Sequence, residues 1–235
     1  MRWTLLLSIP LVSVCLLAAC GGGGNGQAGP IIQDAEAVVP QISEIPAALI
    51  PAKEGGVHVT NEEACASAAD EAEKQACIER LNSWGRRDHY QVLYSATESN
   101  AVLSGVFEIL VGASVYDTVQ GAAASFDYNT KKLKDLIEDN PDSSLLEGEQ
   151  VGDESVGWVS YSNLELIDLN VPTATYVVDF RRGNTIVRTQ IAIARALSKG
   201  DEALEWARRV DERILRAADR QATPAGAEPS SSVTP

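Results

Sequence analysis

Histidine is scarce in this chain of 235 residues, which holds only His58 and His89. Neither stands in an H-E-x-x-H pair or beside a cysteine, so a zinc centre of the usual ligand count lacks material. A serine triad needs a base, and no G-x-S-x-G elbow presents a nucleophile. Basic side chains are few, 19 against 33 acidic, and the net charge of −14 repels nucleic acid and anionic lipid head groups. Beyond the first twenty residues no apolar run approaches the ~20 residues that a membrane-spanning helix needs. The glycine run from Gly21 to Gly26 follows no strand and precedes no Lys-Ser or Lys-Thr, which excludes a phosphate loop. Glu147, Glu149, Asp153 and Glu154 are dense but lack the alternate spacing and turn glycine of a calcium loop, so they read as a solvated acidic loop. No metal, cofactor or catalytic set is implied.

What the chain does have begins at its N-terminus. Met1-Arg2-Trp3 leads into an apolar stretch from Thr4 to Leu17 that contains Pro10, a signal-peptide pattern too short and too interrupted for a permanent span. Leu17-Ala18-Ala19-Cys20 resembles the lipobox of bacterial lipoproteins. That resemblance implies cleavage before Cys20, acylation of its sulfur and a lipid anchor in the cell membrane or outer membrane, with the folded part extracytoplasmic. Gly21, not aspartate, follows the cysteine, which in a cell with an outer membrane argues against retention at the inner one. Two or more acyl chains hold durably, because each buried methylene contributes roughly 0.8 kcal/mol. The alternative is a secreted protein whose cysteine falls there by chance. The organisation expected is a leader over 1–19, an anchor with glycine tether and proline-rich segment over 20–58, one globular domain over 59–220 and a loose tail over 221–235.

With Cys15 in the leader and Cys20 acylated, Cys65 and Cys77 remain. In an exported protein the pair is most simply a disulfide, two free buried thiols being the competing reading. Capping boxes at Thr60 to Glu63 and Asp70 to Glu73 offer two helix starts, and Gly85 offers a stop. One straight helix over 61–84 separates the two cysteines by about 18 Å at 1.5 Å per residue. A disulfide tolerates Cα separations up to about 7 Å. Bond and unbroken helix exclude each other, so the pattern predicts the bond with a helix starting near Asp70.

Pro30, Pro40, Pro46 and Pro51 forbid a long helix in 27–58, yet its Ile and Val pairs are too apolar for pure linker, and part of it should lie along the domain surface. His89 to Ala96 and Val102 to Tyr116 read as strands, the second covered on both faces. Asp117 is a candidate cap for a helix that Asn140-Pro141 closes, and Val156 to Tyr161 reads as a short strand. Gly183-Asn184 between Thr175–Arg182 and Thr185–Ile191 marks a two-residue hairpin. Pairing Arg182 with Thr185 sets Phe180 opposite Val187, Tyr176 opposite Ile191 and Asp179 opposite Arg188. Ala203, Ala207, Val210, Ile214 and Ala217 give the last helix one apolar face. The sum is an α+β fold: a largely antiparallel sheet packed by about three helices, as an α-β-α sandwich.

Candidate ligand contacts are Trp84 and Trp158, large faces able to line a groove, and Arg181 and Arg182, charges at the hairpin tip able to meet an anion. Core packing for the tryptophans and plain solvation for the arginines are the blander readings. Leu81 to Arg86, Gly121-Ala122, Gly152 to Ser155 and Phe180 to Val187, with the closing helix, resemble envelope lipoproteins, and the layout is remotely similar to Mog1/PsbP-like sensor domains. The resemblance implies no catalytic residue. The function expected is a tethered, non-catalytic binding or interaction domain of the envelope. Its partners are membrane lipid through Cys20 and an envelope ligand or protein, with no nucleic acid. A carboxylate-based glycan hydrolase is the alternative.

Overall fold

The computed structural model describes residues 31–52, 56–148, 150–166, 169–197 and 200–222. Cys20 and the leader lie outside the described residues. Eight strands run in chain order as β1 (Leu49–Pro51), β2 (Val57–His58), β3 (Arg86–Ala96), β4 (Val106–Tyr116), β5 (Ser143–Leu145), β6 (Glu154–Leu166), β7 (Leu169–Arg182) and β8 (Thr185–Ala194). Five α-helices join them among the described residues: α1 (Asn61–Ala64), α2 (Glu71–Ser83), α3 (Glu98–Ser104), α4 (Val119–Glu138) and α5 (Asp201–Ala222). The strands form one sheet in the order β1-β3-β4-β8-β7-β6-β5, with β2 also on β3, and every pairing is antiparallel. The fold is α+β, as expected. No helix among the described residues is long and apolar enough to cross a membrane.

Strand alternation divides the sheet into two faces. One carries Tyr90, Val92, Ile109, Val111, Ala113, Val178, Phe180, Val187 and Ile191, and α5 lays Ala203, Trp206, Ala207, Val210, Ile214 and Ala217 against them. Fully burying a Val, Ile or Phe side chain is worth roughly 1.5–3 kcal/mol, so this face is the main source of stability. The hairpin has the register read from the sequence, Phe180 with Val187, Tyr176 with Ile191 and Asp179 with Arg188.

The proline-rich segment goes further than a surface track. Ile32, Val38, Val39 and Leu49 are buried within the same core as α5 and the sheet. Asn184 of the hairpin turn holds the segment there. Its carbonyl accepts the Ile32 N–H at 2.7 Å, and its amide donates to the carbonyls of Ile32 at 2.9 Å and Tyr116 at 2.7 Å. A fully buried polar side chain thereby satisfies both backbone groups of Ile32, which lies outside the strands that the same segment adds to the sheet edge as β1 and β2.

Two helices differ from the sequence reading. Residues 98–104 form α3 rather than the start of a strand, because the Thr97 side chain accepts the Asn100 N–H and Gly105, at φ 68°, closes the turn. The cap of α4 is Thr118, not Asp117, and accepts the Gly121 N–H. The N-terminal third follows the predicted alternative. Asp70 caps α2, Gly85 takes φ 71° after it, and the Cys65–Cys77 disulfide joins the turn after α1 to α2 with Cα atoms 5.9 Å apart.

Candidate functional site

The four candidate contacts do not converge. Trp84 ends α2 and packs on Tyr128 of α4, ring centres 5.3 Å apart, with Arg80 4.5 Å from the centre of the Tyr128 ring. Close by, Gly121 approaches so near that a Cβ there would stand 1.9 Å from the Trp84 carbonyl oxygen, so α2 and α4 touch at this end. Trp158 lies on β6 beneath the Arg188 guanidinium, at 5.2 Å. Arg181 and Arg182 are not merely solvated. Asp153 accepts from both arginines and from the Gly183 N–H, Glu154 accepts from Arg181, and Asp211 of α5 takes Arg182 through two nitrogens. This network fixes the hairpin tip to the acidic loop and to α5, and it uses the carboxylates of Asp153 and Glu154.

The sheet face opposite the main core is covered only in part. There α2 and α4, in contact at Trp84 and Tyr128, flank a cleft of about 450 Å³. Its walls include Cys77 and Leu81 from α2 and Phe126, Asn129 and Thr130 from α4, and its floor includes His89, Gln91, Leu110, Gly112, Ser114, Asp179, Ile186 and Arg188. That size and that mixture of apolar walls with a few convergent polar groups are those of small-molecule sites.

The floor follows from sheet register. Gln91 pairs with Gly112, Gly112 with Arg188 and Arg188 with Asp179, so these four residues form one row across β3, β4, β8 and β7. In the neighbouring row His89 pairs with Ser114 and Ser114 with Ile186. Asp179 accepts Arg188 Nε and Nη2, each at 2.8 Å, and these bonds hold the guanidinium firmly protonated. The Arg188 side chain is half exposed above its largely buried partner.

His89 presents Nδ1 to Ser114 Oγ at 2.7 Å and Nε2 to Gln91 Oε1 at 3.4 Å. The Gln91 oxygen can only accept, so the proton belongs on Nε2 and Ser114 donates to Nδ1. Burial, and then the Arg86 charge, push the His89 pKa down to about 4, with Arg188 adding to the effect, so the ring is neutral at pH 7. Arg86 serves the fold: it donates to the carbonyls of Val59 and Thr60 and to Asn61 Oδ1, binding β3 to the start of α1.

Sequence reasoning paired Asp179 with Arg188 but gave neither to a site, and it missed Gln91, Gly112, Ser114 and the inward role of His89. The available signal was polar spacing at i and i+2 in two strands, His89 with Gln91 and Gly112 with Ser114.

No family model and no curated protein matches the chain. Among solved structures it is similar to the extracellular domain of PknH from Mycobacterium tuberculosis, at 9% identity and a TM-score of 0.45, over 80% of this chain and 99% of that one.

Proposed function

We propose that this chain is an exported, acyl-anchored binding domain that takes a small envelope ligand into the cleft between α2 and α4 and does no chemistry on it. The observation that carries the reading is the cleft itself, about 450 Å³ with polar groups from four strands converging on its floor. The lipobox-like Cys20 and the glycine run after it support the anchor and tether. Hydrolysis of a glycosidic bond needs two facing carboxylates about 5 to 10 Å apart. The described lining of the cleft supplies one, Asp179, bonded to Arg188, so binding is preferred over the hydrolase alternative.

A thermal-shift screen of the folded domain against envelope metabolites tests the proposal. A ligand at 100 times its Kd stabilises by about 2.7 kcal/mol and raises the melting temperature visibly. Thr130→Trp, which fills the cleft from the α4 side, should abolish the shift. A hit that stabilises wild type and this variant equally would move the site elsewhere.

A further inference from the structure

We propose that the ligand is a small organic anion, its carboxylate held over Gly112 between the Arg188 guanidinium and the Gln91 carboxamide, with its apolar part against Leu81, Leu110 and Phe126. This rests on the cleft being the binding site, and it names the chemistry the cleft selects. Gly112 has no side chain, and the His89 ring and Gln91 close in beside it, His89 Cε1 standing 3.3 Å and Gln91 Cβ 3.4 Å from where a Cβ would be, so only glycine fits this place in the row. Gln91 and Arg188 flank Gly112 on the adjacent strands, about 4.8 Å to either side, so two long polar side chains line the cleft floor in one row.

Both present unused donors. Asp179 occupies Nε and Nη2 of Arg188, a residue of the cleft lining, while Nη1 bonds no described residue. Gln91 turns its oxygen to His89, and its amide nitrogen likewise bonds no described residue. The two bonds to Asp179 hold the guanidinium plane in place, so little freedom is lost when a second carboxylate meets its open edge.

Charge selects the same ligand class. Of the charged side chains lining the cleft among the described residues, Arg86 and Arg188 are cationic and Asp179 alone is anionic, inside a protein of net charge −14. Arg86 acts through its field, its guanidinium being engaged by backbone carbonyls and Asn61. Burial sets most of the downward shift at His89, and the charges of Arg86 and Arg188 add to it against the opposing pull of Asp88. The apolar residues named stand at the walls and floor of the cleft, so a bare inorganic ion would leave them open to water.

The probes are hexanoate and octanoate, the matched alcohols, and inorganic phosphate, read by amide shifts and affinity on the folded domain. The carboxylates should move the amides of Gln91, Gly112 and Arg188 and bind at least about tenfold more tightly than the alcohols, in keeping with a charged hydrogen bond. Arg188→Gln alone strands Asp179, so the decisive variant is Arg188→Gln with Asp179→Asn, in which the carboxylates should bind no more tightly than the matched alcohols. Equal binding of acid and alcohol overturns the anion inference and leaves the cleft reading standing. Phosphate binding as tightly as octanoate overturns the organic part. Shifts confined to residues outside the cleft, or none with any probe, overturn both inference and reading.

Discussion

Replacing Asn184 by alanine removes four hydrogen bonds at once, those it accepts from Ile32 N–H and Thr185 Oγ1 and those it donates to the carbonyls of Ile32 and Tyr116. The Ile32 carbonyl keeps a second donor, Arg87 Nη2 at 3.2 Å, so its loss is partial. The Ile32 N–H has no second partner among the described residues and stays buried, which costs about 1–3 kcal/mol. Adding a net contribution of roughly 1 kcal/mol for the remaining bonds gives a destabilisation of about 2–4 kcal/mol. For a domain of this size that is a fall of about 5–15 °C in melting temperature. Asn184→Asp should be worse than alanine, because it sets a carboxylate against two carbonyl oxygens in a buried site. Urea unfolding with hydrogen exchange at Ile32 is the assay, and the Ile32 amide should lose protection before the β4 and β8 amides do. A loss below about 1 kcal/mol, with Ile32 still protected, would show that apolar packing of Ile32 and Val38 holds the segment without the clasp.

Three other outcomes follow from the same structure. His89 has a folded pKa of about 4 against roughly 6.5 unfolded, so the unfolded chain binds more protons between these values and stability falls as pH drops through that window. The loss approaches about 3 kcal/mol below pH 4 and should vanish in His89→Gln, as urea titrations across pH will register; equal slopes for both proteins would refute it. Reducing Cys65–Cys77 should lower stability by roughly 2–4 kcal/mol for a loop of this length and speed exchange in α2, which has no fully buried residue, while β4, β7 and β8 stay protected. Cys20→Ser should leave the protein unacylated and out of the detergent phase in a partitioning experiment, and unchanged partitioning would remove the anchor from the account.

The hairpin was legible because a period of two on both strands and a two-residue turn allow one register, and Asp179 opposite Arg188 checked it on the second face. Helix α2 was legible because a disulfide and an unbroken helix cannot coexist, a geometric exclusion that needs no propensity. The clasp on Ile32 was not, since prolines erase periodicity and nothing local marks Asn184 as the partner of a residue 152 positions away. Helix α3 was obscured by Val102 and Leu103, although Thr97 and Gly105 were there as start and stop. The cleft was hidden for a different reason. Its floor takes one to three residues from each of four strands, and only the sheet order brings Gln91, Gly112 and Arg188 into one row.

The claim that the cleft between α2 and α4 is where this protein meets its ligand is tested most directly by mapping amide shifts on the folded domain with the best ligand from the thermal screen. The account predicts saturable shifts at Gln91, Gly112, Ser114, Asn129, Thr130 and Arg188, with the ligand recovered chemically unchanged. Shifts centred on α5 or on the far end of the β6–β7 hairpin, or conversion of the ligand to a product, would contradict it.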